Sequence, residues 1–136
     1  MDRELLIEKT AAIERHLARV AAHLPATADQ LQPATAASDA IVLHLWQAVQ
    51  ITIDLAIGAC IQLNLGTPAN YGDAFRRLGE SGHIDPLLAR QLAGAAGFRN
   101  VVAHAYEKLD MARVFRGASE GPAHLRAFVS ALAKVL

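Results

Sequence analysis

Cysteine, aromatic residues and net charge are all scarce in this sequence, and each shortage narrows what the chain can be. The single cysteine, Cys60, excludes an intramolecular disulfide framework, and its apolar helical surroundings predict a small buried hydrophobe. Such usage fits a reducing cytoplasm. Lys plus Arg (13) balance Asp plus Glu (13), which excludes nucleic-acid binding through a global positive field and leaves only a local basic patch. His16, His23, His44, His83 and His124 are scattered without carboxylate or thiolate partners at ligand spacing, so no metal and no other cofactor is expected. The acids in Met1-Asp2-Arg3-Glu4 stand where a secretion signal needs basic residues. The most apolar run, 40–65, is interrupted by His44, Gln47, Gln50, Asp54, Gln62 and Asn64, which argues for a long soluble helix and against a membrane partner.

What is present is helix-forming. The hydrophobic content is 53% against 5% aromatics and comes mainly from Ala, Leu, Val and Ile, so an all-α fold is expected. At 136 residues the chain is the size of one domain, and a single helical domain over 1–136 is expected. Leu6, Ile13, Leu17, Val20 and Leu24 recur at helical spacing until Pro25. Residues 25–37 read as a connector holding at most a turn of helix. Ser38 or Asp39 is expected to cap a long central helix that reaches about Leu65, with Gly66 and Pro68 beyond it. A short helix follows over 73–80. Asp85 and Pro86 open a fourth, whose Gly94 and Gly97 would admit a close helix neighbour. The remainder reads as two helical pieces, 110–116 and 122–136, split by Gly117-Ala-Ser-Glu-Gly121.

The chemistry concentrates in 99–106, where Arg99, His104 and Tyr106 combine a permanent cation, a group titrating near neutrality and a phenol. This set suits phosphate chemistry, of which RNA cleavage is one case. A 2′-hydroxyl must lose a proton, the phosphorane oxygens gather charge, and the leaving 5′-oxygen must be protonated. His104 can move the proton and Arg99 can stabilise the charge. On a straight helix Arg99 and Tyr106 share one face, while Asn100 and His104 lie about 140° away. Three arrangements reunite them: a distortion near His104, an Arg99 side chain that wraps across, or a homodimer in which both faces line one cleft. The third is preferred.

The string Gly97-Phe98-Arg99-Asn100-Val101-Val102-Ala103-His104-Ala105-Tyr106 resembles the R-x4-H-x-Y form of the HEPN motif, and more closely that of the HepT toxins. The likeness extends through Asp54-Leu-Ala-Ile-Gly58, Gly66-Thr-Pro-Ala-Asn-Tyr71, Phe75-Arg-Arg-Leu78 and Leu109-Asp110. It departs from many relatives in carrying Ala105 where glycine is frequent. The resemblance implies an antiparallel HEPN-like bundle of five or six helices with its active cleft at a homodimer interface. It also implies a metal-independent endoribonuclease, the toxin of a type VII toxin–antitoxin system, whose partner is a minimal nucleotidyltransferase antitoxin. Arg99 and His104 would be the catalytic pair, Asn100 an auxiliary residue, and Tyr106 the acceptor of AMP units. The alternative is a catalytically weak helical module that such a nucleotidyltransferase modifies.

Around the motif, Gln47, Gln50 and Asp54 form a polar stripe on the central helix. A solvated face is the plainest account of it, but a carboxylate near Arg99 would orient the guanidinium and raise the fraction of protonated His104, so Asp54 is kept as an auxiliary candidate. Lys108, Arg76 and Arg77 are candidate RNA phosphate contacts, Lys108 first because it lies nearest the motif. Trp46 and the Leu and Ala stripes read as core.

Overall fold

The computed structural model describes residues 2–136, and all regular structure in them is helical: five α-helices and two single 3-10 turns. Helix α1 spans Arg3–His23, α2 Ala36–Gln62, α3 Tyr71–Glu80, α4 Pro86–Ala105 and α5 Met111–Val135. The 3-10 turns occupy Ala28–Gln30 and Tyr106–Lys108.

Local chemistry sets the helix ends. Asp2 accepts the Leu5 amide at 2.7 Å, and Asp85 accepts those of Leu87 and Leu88 just ahead of Pro86. The cap of α2 is Thr35. Ser38, expected as a cap, is instead the third helical residue and closes a reciprocal capping box with Thr35, which brings the start three residues forward. Asn70 caps α3 in the same manner, by accepting the Asp73 amide.

The expected split of the C-terminal segment does not occur: α5 is continuous, with Pro122 inside it. Val114, Ala118, Leu125, Phe128 and Leu132 are buried at helical spacing across the glycines, and this tertiary burial outweighs the local cost of Gly and Pro. Gly117 and Gly121 lie against Leu45 of α2. The close helix approach is not at Gly94 or Gly97, where an added Cβ would meet nothing within 4 Å. It is at Gly79, where a Cβ would come within 2.6 Å of the Ala89 side chain and force α3 and α4 apart.

α2 is the helix that meets all four others, α1 lies along it, and α3 pairs with α4. That position explains why α2 is apolar almost all round. It is long and apolar enough by length and composition to cross a membrane, yet half of its most apolar stretch is buried inside the bundle. The larger core joins all five helices around Phe75 and Phe128, whose rings meet edge to face at 5.5 Å. Cys60 is buried there, as expected; burial pushes its thiol up, and Sγ lies 3.4 Å from the Ala74 carbonyl. A smaller core of Val20, Leu31, Ile41, Val42, Leu45, Val102, Val114 and Ala118 supports the far end of α4, with Trp46 packed against it.

Candidate functional site

The final turns of α4 are held down by Val102, 8% exposed in the smaller core, while Asn100, Val101, Ala103 and His104 face solvent. Arg99 points toward α2. Its Nε donates to Gln50 Oε1 at 2.6 Å, Nη1 donates to Asn100 Oδ1 at 3.3 Å, and its guanidinium carbon lies 5.0 Å from the Tyr71 ring centre. Gln50 in turn donates through Nε2 to Asp54 Oδ1 at 3.0 Å. The polar stripe on α2 is therefore a chain, Asp54 to Gln50 to Arg99, that fixes the guanidinium from behind. Asp54 acts on Arg99 through Gln50 and not by direct contact.

Arg99 and Asn100 are thus joined, although a straight helix separates their directions by about 100°. The long Arg99 side chain spans that gap. His104 is one turn beyond Asn100 on the exposed side and has no hydrogen bond or ion pair among the described residues.

Tyr106 has left the helix. Ala105 has φ −149° and ψ 44°, which ends α4 and carries Tyr106 into the following 3-10 turn. Its hydroxyl donates to Asp39 Oδ1 at 2.6 Å, and this hydrogen bond holds the phenol above its ordinary pKa because a phenolate would be repelled there. The ring remains 46% exposed, so a macromolecule can reach it. Asp39 and Gln50 are eleven residues apart on α2, about 16 Å of helix rise, so α2 holds the motif at two separate points.

The expected phosphate contacts divide. Arg77 is committed to the fold: Nη1 donates to the Leu65 carbonyl at 2.7 Å and Nε to Asp73 Oδ2 at 2.8 Å, pinning the turn at Gly66, whose φ is +85°. Asp73 is lowered by the Ala69 amide first and by Arg77 second. Arg76 donates to Asn70 Oδ1 at 3.2 Å at the cap of α3. Lys108 is exposed and unpaired among the described residues, in the turn after the motif. No three His, Cys, Asp or Glu side chains among the described residues gather to hold a metal ion.

Sequence reasoning missed Asp39 and Tyr71 as partners of the motif. The available signal was positional: Asp39, Gln50 and Asp54 fall within about 60° of one another around α2, so whatever packs beside that face meets all three.

A part-buried Arg99 with exposed Asn100, His104 and Tyr106 thus stands at the end of the fourth helix of a five-helix bundle, and solved structures share this fold. The chain is similar to the tri-AMPylated Shewanella oneidensis HEPN toxin in complex with MNT antitoxin, with TM-score 0.86 and 24% identity, over 98% of this chain and 99% of that one. It is likewise similar to a toxin–antitoxin structure with AMP-PNP, with TM-score 0.84 and 23% identity, over 97% and 99% of the two chains. In sequence it is 27% identical over 108 residues to the mRNA nuclease HepT of Shewanella oneidensis, covering 79% of this chain and 80% of that protein. The family described as ribonuclease HepT-like matches residues 13–132, and the chain belongs to that family.

Proposed function

We propose that the protein is a cytoplasmic, metal-independent endoribonuclease acting as the toxin of a type VII toxin–antitoxin system. The carrying observation is the arrangement at the end of α4, where Arg99 is braced by Gln50 and Asn100 while His104, one turn beyond Asn100, is exposed and unpaired among the described residues. The 2′-oxygen of RNA attacks the adjacent phosphorus as its proton is removed, the bond to the 5′-oxygen breaks, and that oxygen takes up a proton. The products are a 2′,3′-cyclic phosphate and a 5′-hydroxyl. His104 serves the proton transfers and Arg99 the charge that gathers on the phosphorane oxygens. Asn100 and, through Gln50, Asp54 hold the guanidinium in place. Lys108 contacts a neighbouring phosphate. His104 has no partner among the described residues, which favours a homodimer in which the motifs of two copies line one cleft.

Tyr106 is the regulatory handle. A minimal nucleotidyltransferase antitoxin transfers AMP to it: the phenol oxygen bonds to the α-phosphorus of ATP, pyrophosphate leaves, and the phenol proton is released. Asp39 already accepts that proton in a hydrogen bond. Each added AMP places a phosphodiester charge beside the cleft and repels the RNA backbone.

Two measurements test this reading. The intact mass of protein made with its nucleotidyltransferase neighbour should exceed that of protein made alone in steps of AMP, lost in Tyr106→Phe. Growth should be arrested only by the unmodified form. An unmodified protein that leaves growth and RNA untouched would contradict the toxin assignment.

A further inference from the structure

Between α4 and α5 lies a groove of about 650 Å³ that none of Arg99, His104 and Tyr106 lines. Its size is that of a small-ligand site. The floor is apolar, from Leu45 and Val49 of α2, Phe98 and Val101 of α4 and Val114 of α5. It is open because Gly94 and Gly97 present bare backbone to it, with free space where side chains would stand.

The rim is basic. Lys108, Arg113, Arg116 and His124 border the groove, and none has a hydrogen bond or ion pair among the described residues. Of the two rim carboxylates, Asp110 already caps α5 by accepting the Ala112 amide at 3.0 Å, which leaves Glu120 as the one acid without such a task. An apolar slot beneath unpaired cations suits a planar base with a phosphate attached. A second copy of the chain fits less well, because a two-fold contact through this groove would set each basic rim against itself. The groove also adjoins the motif. Gly97 and His104 are seven residues apart and lie within about 20° of each other around α4, so the groove opens along the edge that carries His104.

We propose that the α4–α5 groove seats a nucleotide of the RNA strand next to the cleaved linkage, with its base over Phe98 and Val101 and its phosphate between Lys108 and the arginines of α5. This rests on the ribonuclease reading for its substrate, but it is tested by binding alone. The probe is a fluorescent 2′-O-methyl RNA dodecamer, which lacks the attacking hydroxyl and cannot be cut, titrated against the unmodified full-length protein. Gly94→Leu fills the groove at an open helical position and should weaken binding at least tenfold without lowering the melting temperature. Arg113→Gln with Arg116→Gln should weaken it to a similar extent and flatten the salt dependence by a slope of about 1.5. Arg15→Gln, an exposed cation on α1 outside the groove, should bind as wild type does.

Wild-type affinity and salt slope in both groove variants would overturn the proposal. So would a Gly94→Leu protein that changes its solution mass while keeping its RNA affinity, since the groove would then belong to a second copy. If the ribonuclease reading alone is wrong, binding will still depend on the groove while the all-ribose oligonucleotide stays intact.

Discussion

Replacing Gln50 by leucine keeps the volume and helix propensity of the site on α2 but removes the oxygen that accepts Arg99 Nε at 2.6 Å. A hydrogen bond to a charged group is worth about 1.5–3 kcal/mol. Little of that should appear as folding stability, because Arg99 is only partly buried and water can replace the lost acceptor. If instead the bond serves to aim the guanidinium at the phosphorane, its loss should appear in kcat as a drop of about ten- to hundredfold, with KM within a few fold of wild type. Asp54 reaches Arg99 only through Gln50, so Asp54→Ala should cost a few fold alone and nothing further in the Gln50→Leu background. Steady-state cleavage of a fluorogenic RNA, with melting curves on the same samples, reads all three. Wild-type kcat in Gln50→Leu, or an Asp54→Ala effect that persists without Gln50, would refute the chain of positioning contacts.

Three further outcomes are expected. Asp39→Asn should lower the Tyr106 pKa toward its ordinary value, as read by ultraviolet titration in a Tyr71→Phe background, and an unchanged pKa would show that the Asp39 contact does not persist in solution. Phe128→Ala should cost about 3–5 kcal/mol, read as a lower urea midpoint with unchanged slope, because the ring is fully buried against Phe75; a loss under 1 kcal/mol would contradict the core described. His16 and His44 meet through Nδ1 at 3.0 Å, and both are depressed, first by burial and then by Arg15 and Arg19 for His16 and by His16, Arg19 and His23 for His44. The unfolded chain therefore binds more protons below about pH 6.5, so the urea midpoint should fall as the solution is acidified through that region, and His16→Gln with His44→Gln should shrink the fall. An equal fall in the double variant would place the effect elsewhere.

The helices were legible wherever one strong local signal stood alone. Asp85 with Pro86 marks the start of α4, and the Leu6, Ile13, Leu17, Val20 spacing marks the buried face of α1. Readings failed where two local signals competed or where the deciding contact lay far along the chain. Ser38 is a good cap by itself, but Thr35 three residues earlier recruits it into a capping box. Gly117, Gly121 and Pro122 oppose a helix locally, and only the burial of the residues around them on α2 and in the core keeps α5 continuous. The motif was visible as residue types, yet its bracing was not, because Gln50 is 49 positions from Arg99 and Asp39 is 67 from Tyr106. The helix break at Ala105, one of the routes considered from sequence, removes the premise that Tyr106 shares the Arg99 face.

The most direct test of the central claim is single-turnover cleavage of a defined RNA by the unmodified protein in EDTA, with the new ends identified chemically. The account predicts 2′,3′-cyclic phosphate and 5′-hydroxyl ends, and rates at least a hundredfold lower in both Arg99→Ala and His104→Ala. A His104→Ala protein that cuts at the wild-type rate, or products with 3′-hydroxyl ends, would contradict it.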